Sequence, residues 1–318
     1  MAAPLGELAY EALRLAFVPW QRERRLAKER ERTRIARLSS RLIDAGFHHS
    51  LARRRDGGIA CWGSNLFGQA PPDGVDGDFV ATAAGHHHSL ALRGDGGIVC
   101  WGHNDEGQAP PAGVDGEFVA LTAGEHHSLA IRVDGNIACW GNNEEGEAPP
   151  DGVAGNFVAI AAGLTHSLAI RVDGSVACWG LNNHGQAPPA GVPGKFAAIA
   201  AGLEHSLALR VDGSIACWGQ NTIGQAPPAG FEGDFVAIAA GLFLSLALRR
   251  DGSIACWGYM ADTPPDGVVG DFVAIASGVD HYIALRRDGS IACWGGNPYE
   301  NGQAPPAGVA GPFMLQDM

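Results

Sequence analysis

Residues 157–195 read FVAIAAGLTHSLAIRVDGSVACWGLNNHGQAPPAGVPGK, and this pattern recurs in register through most of the chain. A Cys-Trp pair marks every copy and begins at Cys61, Cys100, Cys139, Cys178, Cys217, Cys256 and Cys293. Successive pairs are 39 residues apart, except the last two, which are 37 apart. A fixed period of this length indicates tandem structural units, and seven of them fill residues 41–318.

Each unit carries the signals of an antiparallel meander. Asp173-Gly174 separates two β-prone runs and predicts a hairpin with a type I′ turn, in which both central residues have positive φ. Residues 157–162 predict a strand before the hairpin, and the segment around Gln186-Ala187 predicts a short fourth strand that Pro188-Pro189 ends. Seven such sheets around an axis predict an all-β, seven-bladed β-propeller. A β-solenoid is the alternative, but its coils are shorter and rarely carry a hairpin turn each.

Two motifs resemble the repeat of the regulator of chromosome condensation family: W-G-x-N-x-x-G-Q at residues 62–69 and A-G-x-x-H-S-L-A-L-R-x-D-G at residues 201–213. The resemblance covers residues 41–318 and implies a seven-bladed propeller of compact, bacterial-type repeats. Members of the family include a guanine-nucleotide exchange factor for a small GTPase, repeat domains of HERC-type ubiquitin ligases and bacterial inhibitors of beta-lactamases. Because one fold carries these different functions, the resemblance implies a binding platform rather than one activity.

Residues 1–40 lie outside the repeat and predict a charged, helical N-terminal extension, with apolar residues at helical spacing before Pro19. They lack the pattern of a secretory signal. A solvated, partly frayed helix is the first interpretation, and docking to a partner or to the propeller and association with a membrane surface are the alternatives. Residues 41–46 and 313–318 compete to supply one first strand of the ring, and Ile43, Ala45 and Gly46 match the repeat better than Phe313 alone.

Charge and hydropathy exclude several classes of function. The chain carries a net charge of -12, although residues 1–46 hold 10 Lys/Arg against 6 Asp/Glu, so the repeats are strongly acidic. An acidic body repels phosphate backbones, which argues against nucleic acid as a partner. No apolar run approaches the length of a membrane span. No catalytic arrangement or phosphate-binding loop stands out, so we expect neither enzymatic activity nor a cofactor.

Residue types that recur once in each unit are predicted to be structural. The odd number of Cys, at equivalent and therefore distant positions, predicts buried free thiols, no zinc site and a cytoplasmic or other reducing compartment. One repeated His is expected to bond its own loop, with Leu244 replacing it in the sixth unit. A repeated Arg is expected to pair with acidic residues of the turns and their neighbours. The His occurs at His49, His88, His127, His166, His205 and His281, and the Arg at Arg54, Arg93, Arg132, Arg171, Arg210, Arg249 and Arg286. No metal is expected at His86-His87-His88, because neighbouring strand side chains point to opposite faces.

The segments that differ between units are candidates for function. In a meander, the loops joining strands one and two and those joining strands three and four emerge on one face, which we call the loop face. These loops carry apolar, aromatic and acidic residues and no Lys or Arg. The candidate partner-binding residues are Leu66, Phe67, His86, His87, Asp105, Glu106, Glu125, Glu144, Glu145, Glu204, Ile223, Leu242, Phe243, Tyr259, Met260, Asp280, Tyr299 and Glu300.

This composition predicts a non-enzymatic protein–protein interaction platform, a scaffold or adaptor, whose partner is basic and partly apolar. The alternatives are guanine-nucleotide exchange on a small GTPase, inhibition of an enzyme, and substrate recognition within a HERC-like ubiquitin ligase.

Overall fold

The structure is a computed structural model that describes residues 42–259, 267–279 and 281–295. These residues form seven antiparallel sheets of three strands, each sheet built from consecutive strands. The first strands are β1 (Ile43–Ala45), β4 (Phe79–Ala84), β7 (Phe118–Ala123), β10 (Phe157–Ala162), β13 (Phe196–Ala201), β16 (Phe235–Ala240) and β19 (Phe272–Ser277). The second strands are β2 (His49–Arg53), β5 (His88–Arg93), β8 (His127–Arg132), β11 (His166–Arg171), β14 (His205–Arg210), β17 (Leu244–Arg249) and β20 (Tyr282–Arg286). The third strands are β3 (Ile59–Gly63), β6 (Ile98–Gly102), β9 (Ile137–Gly141), β12 (Val176–Gly180), β15 (Ile215–Gly219), β18 (Ile254–Gly258) and β21 (Ile291–Trp294).

The sheets are the blades of a propeller, numbered one to seven along the chain. Each first strand packs against the first strands of both neighbouring blades, and β19 packs against β1, so the ring is closed. The first strands line a central channel with a volume of about 490 Å³, mostly through small side chains such as Ala161 and Ala200. The prediction of an all-β, seven-bladed propeller is confirmed. The part of the chain described here contains no helix able to cross a membrane.

The Asp-Gly hairpins exist, but the predicted type I′ turn is wrong. In blade four, Arg171 N–H donates to Ser175 O and Gly174 N–H to Arg171 O, which makes a three-residue loop. Gly174 has a φ of +90°, whereas no described non-glycine residue has positive φ. This is a type I turn followed by a left-handed glycine. Asp173 therefore serves as an acceptor, since its Oδ1 takes hydrogen bonds from both the N–H and the O–H of Ser175.

The predicted fourth strand around Gln186-Ala187 is also wrong. In blades one to six the segment after the third strand forms one isolated bridge further along, as between Val176 and Val192. Side chains fold the Gln186 segment into a compact loop instead, because Asn182 Oδ1 accepts from Ala187 N–H at 2.8 Å. The two prolines that follow have no N–H to donate to a ladder.

The repeated histidines join neighbouring blades, so the expected bond to their own loop is wrong although their structural role is confirmed. His166 Nε2 lies 2.9 Å from Ser206 Oγ of the next blade. Ser206 Oγ donates to Gln186 O, which also accepts from Trp218 Nε1. Since the serine proton goes to the carbonyl, His166 must donate from Nε2. The same His–Ser contact joins His49 to Ser89, His88 to Ser128, His127 to Ser167, His205 to Ser245 and His281 to Ser50.

The contact between His281 and Ser50 closes the ring between blades seven and one. Ile43 and Ala45 share a buried cluster with Ala276 and Ile283 across this junction. The N-terminal segment therefore supplies the first strand of blade one, as predicted. The expected helix in residues 1–40 and the competing segment 313–318 lie outside the described residues.

The repeated cysteines are free thiols, four of them buried and three half-buried. Burial raises the pKa of each thiol, to about 11 at Cys256 and about 12 at the others. The expected pairing of the repeated Arg with acidic residues holds at Arg54, which bonds Asp56 and Asp76. In blades three to seven the guanidinium lies over the ring of the Phe that begins the same blade, 5.0 Å from the centroid for Arg132 on Phe118. That part of the prediction is wrong, because the turn aspartates are already bonded within their turns.

Candidate functional site

The two sets of variable loops lie together, as the meander requires. In blade four, Leu181 N–H, just after β12, donates to Thr165 O, just before β11, at 2.9 Å. Equivalent bonds hold the two loops side by side in blades one to six. The loop face is therefore a surface built on strand ends, with backbone hydrogen bonds that fix its loops.

One residue from each blade surrounds the mouth of the central channel on this face. Each follows a glycine that comes directly after the first strand; a side chain at Gly85, for example, would collide with His88 and with Gly124 O of the next blade. The seven residues are Phe47, His86, Glu125, Leu164, Leu203, Leu242 and Val279, and they surround a shallow cavity of about 90 Å³. The mouth is polar and aromatic in blades one to three and aliphatic in blades four to seven.

The polar half of the mouth continues outward into a cluster of rings. The ring centroids of Phe47 and His86 are 3.8 Å apart, those of His86 and His87 4.1 Å, and those of His87 and Phe67 4.9 Å. His103 contacts Phe67 on one side and His126 on the other. We call this group, with His48 and Glu125, the histidine cluster. It joins loops of blades one, two and three.

Burial keeps part of this cluster uncharged. It lowers the pKa of His86 to about 3, and the neighbouring histidines, His87 foremost, add to the effect. Burial also lowers the pKa of His87, again with help from His103 and other nearby histidines. The pKa of Glu125 is raised because burial disfavours the carboxylate, although His126 partly opposes this. The two imidazoles are therefore neutral near pH 7 and present lone pairs.

The structure assigns different environments to the predicted site residues. Leu66, Phe67, Asp105, Glu106, Glu144, Glu145, Ile223 and Tyr259 are exposed, whereas His86, His87, Glu125, Glu204, Leu242 and Phe243 are half-buried. Met260, Asp280, Tyr299 and Glu300 lie outside the described residues. Phe67, His86, His87 and Glu125 belong to the histidine cluster, and Asp105 joins its edge through His103 at 3.1 Å. Ile223 and Tyr259 stand on the loops of blades five and six.

Phe47, His48, His103 and His126 are absent from the predicted set although they belong to the cluster. Each occupies a variable position in the same loops as the predicted residues. Aligning the units loop by loop, and then reading neighbouring units together, would have found them. Reading each unit separately hides contacts between blades.

Six segments match the model of the Regulator of chromosome condensation (RCC1) repeat: residues 41–69, 79–108, 118–147, 157–186, 196–225 and 272–303. The chain belongs to this family. A comparison with curated protein sequences finds no match.

Solved structures with the same architecture include a plant receptor and a yeast protein. The CRINKLY WD40 ectodomain of the Arabidopsis thaliana receptor kinase ACR4 is 25% identical, with a TM-score of 0.66 over 81% of this chain and 94% of that one. Prp20p from Saccharomyces cerevisiae, whose structure was reported with its binding properties to Gsp1p and histones, is 23% identical, with a TM-score of 0.59 over 72% of this chain and 74% of that one. The second likeness shows the fold alone.

Proposed function

We propose that this protein is a non-enzymatic interaction platform that binds a basic, partly apolar protein partner on its loop face. The observation that carries the proposal is Phe67, which is 46% exposed although its ring packs on His87 and His103. An aromatic ring held in place but open to solvent can bury apolar area at small entropic cost. Leu66 beside it is 86% exposed and enlarges the apolar surface.

Acidic residues flank this surface on its blade-two and blade-three side. Asp105 and Glu106 belong to the loop after β6, and Glu144 and Glu145 to the loop after β9, and all four are exposed. The loops of this face carry no Lys or Arg, so the rim attracts cationic partners and speeds association at low salt. Glu125 and Glu204 contribute less, because both are half-buried and Glu204 lies 3.4 Å from His184.

The opposite face supplies a matched control. Val172 and Val211, at the hairpin turns, are 58% and 71% exposed, so both faces present apolar side chains. Isolated exposed residues of this kind are normal on soluble proteins. The loop face differs because its apolar residues adjoin packed rings and an acidic rim.

The test is affinity capture with the full chain, followed by titration of the captured partner against purified variants. Phe67→Ala and Leu66→Ala should each weaken binding about tenfold or more, as expected for an anchor residue, whereas Val172→Ala and Val211→Ala should leave it unchanged. Glu144→Gln with Glu145→Gln should slow association and reduce its salt dependence. Equal binding by all variants, or loss from the valine variants alone, would contradict the proposal.

Guanine-nucleotide exchange, enzyme inhibition and substrate recognition in a ubiquitin ligase stay predictions drawn from the family resemblance. A reducing compartment stays a prediction drawn from the unpaired cysteines. Nucleotide release measured on a panel of GTPases separates exchange from scaffolding. Turnover of a small substrate by the purified chain would contradict the non-enzymatic assignment.

A further inference from the structure

Three side chains of the histidine cluster converge on one point at the channel mouth. Glu125 Oε1 lies 3.8 Å from His86 Nδ1 and 3.6 Å from His126 Nε2. The three ligand atoms all lie within 4.8 Å of one another. His86 comes from blade two and the other two from blade three, so the packing of two blades creates the arrangement.

We propose that His86, Glu125 and His126 form a binding site for a divalent transition-metal ion of the zinc type. Zinc bonds of about 2.0–2.2 Å to nitrogen and oxygen place tetrahedral ligand atoms about 3.3 Å apart. The two distances from Glu125 to the imidazoles exceed this by a few tenths of an ångström, and the two imidazole nitrogens lie within 4.8 Å of each other, so side-chain rotations can bring the three atoms to bonding distance of one ion. Two imidazoles and one carboxylate suit zinc and its neighbours, whereas Mg²⁺ and Ca²⁺ prefer oxygen ligands.

The surroundings agree with such a site. His86 Nδ1, one of the three proposed ligand atoms, is buried and has no hydrogen-bond partner among the described residues. An unpaired buried imidazole nitrogen is costly unless something occupies its lone pair or takes its proton. A dication would also compensate the burial of the Glu125 carboxylate.

The coordination would be incomplete. Three protein ligands leave a fourth position open, as in zinc sites that bind water or an external ligand. The mouth of the channel is open to solvent, so the fourth ligand would come from there. Side-chain exposures of 15% for His86, 23% for Glu125 and 35% for His126 leave a path for the ion.

The predicted absence of metal at His86-His87-His88 rested on adjacent side chains pointing apart. That argument does not apply here, because His86 and His87 lie in the loop before β5 and their ring centroids are 4.1 Å apart. The proposed ligands come from loops of neighbouring blades: His86 and Glu125 occupy equivalent positions, and His126 follows Glu125. The metal site and the proposed partner surface are tested independently, because zinc binding needs no partner.

Isothermal titration calorimetry tests the proposal with untagged, EDTA-treated full-length protein and ZnCl₂. We expect one saturable site with a dissociation constant of about 10 μM or tighter. His86→Gln, Glu125→Gln and His126→Gln should each weaken binding at least about tenfold, because replacing residues that only hydrogen-bond to metal ligands already costs about 10–100-fold. MgCl₂ should not compete.

His184→Gln is the matched control. His184 is also a loop-face histidine beside a glutamate, but among the described residues the His184–Glu204 pair has no third ligand. Its loss should leave zinc affinity unchanged. Circular dichroism confirms folding, and His126, the most exposed ligand, gives the variant least able to disturb the fold.

A Co²⁺-substituted sample gives a second readout, since its visible absorption reports direct coordination and should change in the His126→Gln variant. No saturable zinc binding to the wild-type chain would overturn the proposal. Unchanged affinity in the three ligand variants, or an equal loss in His184→Gln, would also overturn it.

Discussion

The contact between His166 and Ser206 shows how one residue pair holds two blades together. Ser206 Oγ accepts a hydrogen bond from His166 Nε2 and donates one to Gln186 O, and the side chains of His166 and Ser206 are fully buried. The pair has a signature within the sequence. Tyr282 occupies the serine position in blade seven. Leu244 occupies the histidine position of blade six that would face this serine, and Tyr282 and Leu244 belong to one buried cluster. The partner of each repeated histidine was therefore readable by comparing neighbouring units.

We expect Ser206→Ala to destabilise the protein more than His166→Leu. The alanine leaves a buried imidazole N–H unpaired, which costs about 1–3 kcal/mol, whereas the leucine leaves Ser206 bonded to Gln186 O. Urea denaturation of both variants and the double variant measures the difference. A Ser206→Ala variant as stable as the wild type would show that this bond contributes nothing.

The same histidines predict a loss of stability on mild acidification. Burial, the first cause in each case, lowers the pKa to about 3 at His49, His127 and His166, to about 4 at His205, and well below 6.5 at His88. The unfolded chain binds these protons below about pH 6.5 and the folded chain does not, so stability is complete above that pH and falls as pH drops towards 4. Each of these histidines lowers the free energy of unfolding by about 1.4 kcal/mol per pH unit between pH 6.5 and its folded-state pKa.

Denaturation midpoints measured between pH 7 and pH 4.5 test this dependence. The turn aspartates affect the stability of the fold only at lower pH. Hydrogen bonds to the carboxylate, as from Ser175 to Asp173, lower their pKa. His166→Gln should reduce proton uptake on unfolding by about one. A midpoint independent of pH would contradict the prediction.

At the level of elements, the sequence predicted strands better than the segments between them. The hairpin was evident from Asp173-Gly174, but the turn type was not, because a single Asp-Gly pair suits a two-residue or a three-residue loop. The hydrogen bonds from Ser175 to Asp173 favour the longer loop. A four-stranded blade would make the Gln186 segment a strand, whereas Asn182 and the two prolines specify a loop.

The candidate site was predicted only in part for a related reason. Variation between units identified the loop face and most exposed residues on it. It did not reveal that His86 of blade two meets Glu125 and His126 of blade three, because a repeat period gives each residue's place within its blade and not the distances between blades. Such contacts depend on the radius and twist of the closed ring.

The stability of the whole propeller depends on how the ring closes. In the described residues, all three strands of blade one come from the N-terminal side of the repeats. β1 pairs with β2 of its own blade, so packing across the junction with β19 and the contact of His281 with Ser50 join the two ends. Asp44 adds a hydrogen bond across the next junction, from Ala84 N–H to Oδ2 at 3.2 Å. A short strand of three residues thus completes the inner wall of the channel.

Deleting residues 1–46 should therefore open the ring, whereas deleting residues 1–40 should leave it closed. The longer deletion removes Ile43, which is 2% exposed, and the loss of one large buried aliphatic side chain alone costs about 2–5 kcal/mol. It also removes the carboxylate of Asp44 that accepts from Ala84. Blades one and seven would then unfold at lower urea concentration than the remaining blades, and the single transition expected of the closed ring would broaden.

Urea denaturation followed by tryptophan fluorescence compares the two deletions, because each third strand carries one Trp of the repeat. If both truncated proteins unfolded at the same midpoint as the full chain, β1 would be dispensable and another segment would have to complete the ring.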